Sequence, residues 1–386
     1  MKKIAIVSTH PIQYNAPLFR LLGKSVLVRS KVFYTWEQSS LGPKYDPDFR
    51  RDIEWNIPLL DGYDYTFVKN IAAKPGSHHF RGIINPGLNK EIEAWGADAV
   101  LIFGWSFDSH LRCLQYFHKK IPILFRGDST LLDERAGPKR LLRRFFLRWV
   151  YSHVDKALYV GANNKEYFLR HGLREDQLVL APHAIDNARF AGSGGDFDEQ
   201  ARRWRASLGI GENDLALIFA GKLEEKKNPL FLVELAKKID DPRLKLIIVG
   251  NGSLEAPVRA AAAADPRFRV LEFQNQLLMP VVYRLADIFV LPSKGPGETW
   301  GLGANEAMAS GCAVMLSDKA GGAVDLVPEG QDGIIFASGD IEKAAGFVRG
   351  ILASQAGLAK MKAASKRIIQ DFSYDKIVSA IEKAIT

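Results

Sequence analysis

The sequence of 386 residues contains little cysteine and no long apolar run. Its two cysteines, Cys113 and Cys312, lie far apart with no second cysteine near either. This spacing excludes a disulfide framework and a zinc knuckle built on paired cysteines. We therefore predict two buried thiols in a reducing compartment. No stretch approaches the roughly 20 apolar residues that span a bilayer, so we expect no membrane-spanning helix.

The amino terminus also lacks the apolar region of a secretory signal, which needs about 7 to 15 residues. Its apolar run covers only residues 4–7 before the polar Ser8 and Thr9. Such a short run is typical of a buried strand. We therefore expect a cytoplasmic protein that would meet a membrane only at its surface, at the inner face of the cell membrane.

Neither half of the chain has more acidic than basic residues. In total, 52 Lys and Arg face 44 Asp and Glu, which gives a net charge of +8. The whole excess lies within residues 1–187, whereas residues 188–386 contain equal numbers of both signs. If the halves are separate domains, only the first has a reason to bind an anionic partner.

What the sequence has in abundance is short apolar runs, each followed by a longer amphipathic stretch. Such runs are typical of parallel strands buried on both faces, and their alternation with helical patterns indicates doubly wound α/β sheets. The runs cover residues 4–7, 26–34, 99–103, 121–125 and 157–160 in the first half, and 215–220, 244–249, 270–273, 288–291, 313–316 and 333–336 in the second.

A polar segment at residues 187–200, with a Gly-Ser-Gly-Gly-Asp core, separates the two series and is predicted to be a flexible linker. We therefore predict two Rossmann-like domains, residues 1–187 and 188–371, that face a central cleft. Residues 372–386 are predicted to form a final helix with an isoleucine stripe. The pattern leaves open whether this helix packs on its own domain or crosses back to the first.

The densest group of candidate binding residues lies between residues 291 and 326. A predicted strand is followed there by a glycine-rich loop, and Gly301-Leu302-Gly303 leads into a helical pattern. The free N–H groups and the positive dipole end of a helix start bind anions, and glycines let a phosphate approach the backbone. The segment therefore predicts a phosphate site.

Two carboxylates and two ammonium groups accompany this predicted phosphate site. Glu298 and Glu306 flank the helix start, one in the loop and one inside the helix, where carboxylates are suited to accept hydrogen bonds from sugar hydroxyls. Lys222 and Lys227 follow another predicted strand. Together they can neutralise the charge that develops on a diphosphate leaving group.

These segments, GKLEEKKNP, PSKGPGETWGLGANEAMASG and GGAVDLV, resemble the donor half of the nucleotide-sugar glycosyltransferases of family 4. That family consists of retaining enzymes with two Rossmann-like domains, the GT-B fold. The resemblance covers residues 155–340 in sequence and the first 150 residues in architecture. It implies that Lys222 and Lys227 bind the diphosphate, that Glu298 contacts the donor sugar, and that Glu306 holds the ribose.

The expected donor site includes Phe273 and Gln274 beside the nucleotide base, and the backbone amides of 301–303 on the diphosphate. No acidic cluster with the character of magnesium ligands is near the lysines in sequence. We therefore expect no metal and no cofactor apart from the nucleotide diphosphate sugar, which is a substrate.

In the first half the sequence departs from the family. The family often has a histidine after the strand that here covers residues 121–125, and this chain instead has Arg126 and Asp128. We predict that one of them makes the sugar contact of that histidine, although a turn held by a salt bridge explains them equally. His10, in a first loop without the paired glycines, is a further candidate.

The charge excess has a candidate location at residues 138–150. Five basic residues, from Lys139 to Arg148, alternate with large apolar ones and predict an amphipathic helix with one cationic and one apolar face. Either this helix packs its apolar face on its own domain, or it contacts an anionic membrane surface. Nucleic acid is not an expected partner, since no binding motif is present.

We therefore predict a retaining glycosyltransferase that moves a sugar from a nucleotide diphosphate sugar to a hydroxyl of a glycan or lipid-linked acceptor. The expected role is the biosynthesis of cell-surface polysaccharide or glycolipid. One alternative is a GT-B relative that binds the nucleotide without transfer. The other is a dinucleotide oxidoreductase, against which no G-x-G-x-x-G motif follows the first strand.

Overall fold

The computed structural model describes residues 1–37, 57–192, 196–328 and 331–385, together with the backbone of 44–46 and 51–53. The strands are β1 (Lys2–Ser8), β2 (Val28–Tyr34), β3 (Lys44–Asp46), β4 (Arg51–Ile53), β5 (Tyr65–Phe67), β6 (Ala99–Phe103), β7 (Ile123–Arg126), β8 (Lys156–Tyr159), β9 (Leu178–Leu180), β10 (Leu215–Ala220), β11 (Leu244–Val249), β12 (Phe268–Leu271), β13 (Ile288–Leu291), β14 (Ala313–Ser317) and β15 (Gly333–Phe336).

Helices connect most of the strands. They are α1 (Ala16–Leu22), α2 (Leu88–Trp95), α3 (Asp108–Phe117), α4 (Pro138–Tyr151), α5 (Ala162–Arg170), α6 (Asn187–Ala191), α7 (Asp196–Ser207), α8 (Phe231–Lys238), α9 (Glu255–Ala264), α10 (Met279–Tyr283), α11 (Leu302–Ala309), α12 (Ala323–Leu326), α13 (Ile341–Ala353), α14 (Leu358–Ile368) and α15 (Tyr374–Ile385). Among the described residues, no helix combines the length and the hydropathy needed to cross a bilayer.

The chain divides into two compact units. The first unit comprises Met1–Gly42, Ile57–His183 and Tyr374–Thr386, and the second comprises Pro43–Asn56 and Ala184–Ser373. The last helix, α15, belongs to the first unit. Its isoleucines at 377, 381 and 385 are buried, and the Lys2 ammonium donates to the Ile385 carbonyl at 2.5 Å. The predicted stripe therefore packs on the domain that begins the chain.

Each unit is built on one parallel sheet. The strand order is β5-β2-β1-β6-β7-β8-β9 in the first unit and β12-β11-β10-β13-β14-β15 in the second. In both sheets the order runs outward from the first strand in two directions, which is the doubly wound arrangement. The central strands are buried on both faces, as in β10 and β14. The predicted α/β class with two Rossmann-like domains is confirmed.

Most differences from the predicted strands fall on edge strands or at strand ends. The edge strands β5 and β9 were not predicted, because each has only three residues and neither is a long apolar run. Strand β2 begins two residues later than the apolar run, since Val26 and Leu27 are exposed. Apolar runs mark strands reliably only where both faces of a strand are covered.

The predicted linker is largely helical. Residues 187–191 form α6, whose start is capped by the Asp186 carboxylate accepting from the Arg189 N–H at 3.1 Å. The acidic residues at the start of α7 favour a helix because they complement its dipole. Residues 193–195, within the predicted linker, lie outside the described residues. The prediction of a flexible connection over 187–200 was wrong for the rest.

Both cysteines are buried and free, as predicted. Cys113 lies in the core of the first unit, and Cys312 lies just before β14 in the second. Burial raises the pKa of the Cys312 thiol to about 12, so this side chain is a neutral apolar filler rather than a nucleophile.

Candidate functional site

The candidate donor site lies at the carboxyl edge of the second sheet, where the strand order reverses between β10 and β13. In doubly wound sheets this reversal opens a crevice for ligands. The loops after the two strands are tied together. The Lys294 N–H donates to the Lys226 carbonyl at 2.8 Å, and the Asn228 side-chain amide donates to the Pro292 carbonyl at 3.3 Å. Side chains from both loops are therefore held at one point.

A buried ion pair joins two of the predicted site residues. The Lys227 ammonium contacts the Glu298 carboxylate, whose residue is only 7% exposed. The Ser293 hydroxyl donates to the same carboxylate oxygen at 3.0 Å. A carboxylate with so little solvent remains charged only when a cation and hydrogen bonds compensate it. The ammonium and the hydroxyl thus fix the position of Glu298 in the loop that precedes α11.

The helix start at Gly301 has the geometry of an anion site. Gly301 has φ +99°, and a Cβ atom there would lie 2.5 Å from a methyl carbon of Leu291. Only glycine fits, so the chain can turn tightly from the loop into α11. The first intrahelical bond runs from the Ala304 N–H to the Gly301 carbonyl at 2.8 Å. The N–H groups of Leu302 and Gly303 precede it and belong to the first turn, whose donors have no partner within the helix.

Glu306 lies inside α11 and is 3% exposed. Its carboxylate accepts a hydrogen bond from the Tyr283 hydroxyl at 2.8 Å. On the same helix the Asn305 side-chain oxygen accepts from the Trp300 indole N–H at 2.8 Å. These contacts orient the start of α11 on the domain core.

The remaining predicted donor residues lie at the same sheet edge. Lys222 is half-buried and follows β10 directly. Phe273 follows β12, and its N–H donates to the Asn251 side-chain oxygen at 2.8 Å. The side-chain amide of Gln274 donates to the Glu272 carbonyl at 3.0 Å, so in this state it bonds to its own segment.

Sequence reasoning missed the Gly250-Asn251-Gly252 turn after β11. A Cβ atom at Gly250 would lie 2.0 Å from the Gly221 carbonyl oxygen, and one at Gly252 would lie 2.6 Å from the Leu223 carbonyl oxygen. The two loops therefore pack backbone against backbone. A glycine pair directly after a predicted strand was the available signal. Tyr283 had no comparable signal, since its partner Glu306 lies 23 positions away, whereas Ser293 lies only five positions before Glu298.

In the first unit, the Arg126 side chain binds backbone carbonyls of its own domain. Its guanidinium donates to the Ala181 carbonyl at 2.7 Å and to the Pro182 carbonyl at 3.2 Å. The residue is 6% exposed, and burial lowers the pKa of the guanidinium to about 10. The structure thus gives Arg126 a role that the sequence could not show, which is to hold the segment after β9 against the end of β7.

The other two first-unit candidates lie near aromatic or ionic partners. Asp128 is half-exposed, and its carboxylate is 3.6 Å from the His183 ring nitrogen. Burial lowers the pKa of His183, which favours a neutral ring. His183 was not a predicted site residue. His10 packs edge-on against Trp36, with ring centroids 5.3 Å apart. Within the described part of the chain, no group of three or more His, Cys, Asp or Glu residues could hold a metal ion.

The comparison with protein families matches residues 200–368 to the family described as "Glycosyl transferases group 1". This segment contains every donor-site residue described above. The glycine turns, the lysines after β10 and the carboxylates around α11 therefore all fall within the matched segment, and the oxidoreductase alternative has no support.

Two curated relatives carry related names. The chain is 29% identical over 252 residues to the D-inositol 3-phosphate glycosyltransferase of Geodermatophilus obscurus, which covers 61% of this chain and 53% of the relative. It is 29% identical over 212 residues to the sulfoquinovosyl transferase SQD2 of Arabidopsis thaliana, which covers 53% of this chain and 39% of the relative. The chain thus spans about half the length or less of these relatives.

Among solved structures, the fold is similar to that of Anabaena Alr3699/HepE in complex with UDP and glucose. The TM-score is 0.70 at 17% identity, over 99% of each chain. The two parallel sheets correspond to the two Rossmann-like domains of such proteins. Its matched segment, its curated relatives and its fold make the chain similar to glycosyltransferases of the GT-B fold and of family 4.

Proposed function

We propose that this protein transfers a sugar from a nucleotide diphosphate sugar to a hydroxyl acceptor with retention of the anomeric configuration. The observation that carries the proposal is the grouping of Lys227, Glu298 and the start of α11 at the switch point of the second sheet. A cation, a sugar-binding carboxylate and free backbone donors are the groups that such a donor requires.

In this proposal the diphosphate lies between the lysines and the helix start. Lys222 and Lys227 supply positive charge from one side, and the N–H groups of Leu302 and Gly303 supply donors from the other. Their charge stabilises the phosphate as it leaves, which is where such groups contribute most to rate. The lysines would serve without a metal, so chelation by EDTA should not change the rate.

The ribose and the base would lie on the opposite side of the helix start. Glu306 is held by Tyr283, and its carboxylate would accept hydrogen bonds from the ribose hydroxyls. Phe273 offers a ring at the carboxyl end of β12 for the base. A uridine diphosphate sugar is the first donor to test, because the similar Anabaena structure contains UDP and glucose.

The sugar would bind beneath Glu298. In the reaction, the bond between the anomeric carbon and the β-phosphate oxygen breaks, and the acceptor oxygen bonds to that carbon on the same face. The acceptor's proton passes to the departing phosphate oxygen. In this scheme Glu298 positions the sugar and is not a nucleophile.

The acceptor is proposed to be an anionic glycan or lipid-linked molecule in the synthesis of cell-surface polysaccharide or glycolipid. The basic excess of residues 1–187 supports an anionic acceptor. The name of one relative includes inositol 3-phosphate, which is likewise anionic.

A donor screen tests the proposal. The protein is incubated with UDP, GDP and ADP sugars, and hydrolysis or transfer is scored by mass spectrometry, with product configuration assigned by NMR. In parallel, a thermal shift is measured with each nucleotide, since a ligand at 100 times its Kd stabilises by about 2.7 kcal/mol. Nucleotide binding without turnover would indicate a relative that has lost the chemistry. The absence of any nucleotide effect would contradict the site itself.

A further inference from the structure

Helix α4 presents a large apolar face to solvent. Its sequence predicted that this face either packs on the domain or meets a membrane, and the structure shows it exposed. Five of the fourteen exposed large apolar side chains among the described residues lie on this helix. They are Leu141 (54% exposed), Leu142 (72%), Phe145 (69%), Phe146 (40%) and Trp149 (43%).

The helix is nevertheless firmly attached to the first unit by its other side. Leu147, Val150 and Tyr151 are buried in the core of that unit. The Phe146 ring contacts the Trp105 ring at 5.3 Å and the Trp149 ring at 5.6 Å between centroids. The apolar face is therefore a fixed surface of a folded domain, built on aromatic contacts.

The five cations of the helix lie on the half opposite the apolar face, as its sequence predicted, but they are interleaved there with the buried Leu147, Val150 and Tyr151. Arg144 binds the Glu134 carboxylate at 2.7 Å, and Arg140 lies 4.0 Å from it, on the packed side. Arg143 also lies on the packed side, where its guanidinium donates to the Tyr167 hydroxyl at 3.4 Å. At 100° per residue, Lys139 borders one edge of the apolar face and Arg148 borders the other. The exposed surface is thus an apolar strip with a cation along each edge.

We propose that this strip docks on an anionic lipid bilayer, with α4 lying in the plane of the interface. Leu and aromatic side chains would enter the boundary between headgroups and acyl chains, while the edge cations would reach headgroup phosphates at the same depth. The charge of the helix argues for this occupant: α4 contains five cations and no acidic residue, so the strip and its edges complement an anionic leaflet. The proposal does not depend on the activity proposed above.

Vesicle sedimentation with the full chain tests it. We expect binding to vesicles of phosphatidylcholine with phosphatidylglycerol, and weaker binding to phosphatidylcholine alone. The double variant Leu142→Ser with Phe145→Ser should lower the partition coefficient on anionic vesicles at least tenfold. The double variant Lys139→Gln with Arg148→Gln should lower it about threefold or more and reduce its salt dependence.

Matched controls use side chains elsewhere on the first unit. Val26→Ser with Ile71→Ser removes two exposed apolar side chains, which are 84% and 55% exposed. Lys24→Gln with Arg81→Gln removes two exposed charges. Both controls should bind vesicles as the wild type does, and all four variants should keep its melting temperature within a few degrees, because the changed side chains are exposed.

Two results would overturn the proposal. One is equal vesicle binding by the Leu142 and Phe145 double variant and the wild type. The other is a concentration-dependent dimer in analytical ultracentrifugation that this variant abolishes, since the face would then be an interface between copies of the chain.

Discussion

The carboxyl edges of the two sheets share one strand order and use buried polar groups in opposite ways. In the second unit, side chains hold both buried carboxylates. Lys227 and Ser293 hold Glu298, and Tyr283 holds Glu306. Such partners can exchange for a ligand, because no backbone structure is lost when they move. The carboxyl edge of the second sheet therefore has polar groups that a ligand could bind by replacing their present partners.

In the first unit the buried polar groups hold the backbone. The His110 ring is fully buried between the Thr35 hydroxyl at 2.9 Å and the carbonyls of Phe103 and Gly104 at 3.1 Å. Burial lowers the pKa of His110 to about 4, so the ring stays neutral. Arg126 likewise serves backbone carbonyls. The comparison indicates that strand order creates a crevice at the sheet edge. Whether the buried polar groups there are available to a ligand depends on whether their partners are side chains or backbone carbonyls.

The strongest test of this comparison is the loss of charge at the second edge. Glu298→Gln and Lys222→Ala should each reduce kcat/KM for transfer by about 10²–10³, because the first weakens the contacts that position the sugar and the second removes a cation that stabilises the departing phosphate. Lys226→Ala is the matched control in the same loop, since its ammonium pairs with Glu224 at 3.3 Å and is half-exposed. Near wild-type activity of both variants, with melting temperature unchanged, would refute the site assignment.

The next test removes a backbone-holding group from the first unit. Arg126→Met should lower the free energy of unfolding by about 3 kcal/mol, because it leaves two buried carbonyls without their donor. Urea denaturation measures this, with the exposed Arg81→Met as control. If stability were unchanged and activity lost, Arg126 would be a substrate contact, as its place in the sequence suggested.

A third test concerns a buried carboxylate away from the site. Asp332 precedes β15, at the amino edge of the second sheet, and neither of its oxygens accepts a hydrogen bond from another described residue. Burial raises the pKa of this carboxyl to about 6 from 3.8. Because the folded state binds this proton more tightly, the contribution of Asp332 to stability is fully present below about pH 4 and is lost as the pH rises through 6.

Asp332→Asn should remove that loss. We expect the variant to gain about 2 kcal/mol over the wild type between pH 4 and pH 7, as measured by urea denaturation across pH. Asp61→Asn, on the surface of the first unit, should follow the wild type throughout. Parallel pH curves for Asp332→Asn and the wild type would mean that the carboxylate is compensated in the fold.

The smallest expected effect is on nucleotide affinity. Tyr283→Phe removes the donor that orients Glu306, and should raise the Kd for the nucleotide about three- to tenfold, or about 1 kcal/mol, with little change in kcat. Titration calorimetry measures the Kd. A change in kcat without a change in Kd would contradict a role of Glu306 in ribose binding and would indicate that it acts at the reacting centre.

The parts that the sequence predicted are those whose determinants are local. The loop and helix around Glu298 and Gly301 were predicted because strand, glycine turn and helix follow one another in the chain. The use of Arg126 could not be predicted, since its partners lie 55 and 56 positions away. For α4, periodicity gave the apolar face but not its direction, because Leu147 and Val150 suffice to anchor the helix. The α6 helix was missed because a polar sequence with glycines is also typical of linkers.

The ion pair between Lys227 and Glu298 means that the donor site neutralises itself before any ligand arrives. A nucleoside diphosphate alone would draw Lys227 away and leave Glu298 buried without its cation. An intact nucleotide sugar offers a phosphate to the lysine and hydroxyls to the carboxylate together. We therefore expect the site to bind the intact nucleotide sugar more tightly than the nucleoside diphosphate product, so that the product dissociates readily after transfer. In a competition assay, Glu298→Gln should reduce this difference in affinity.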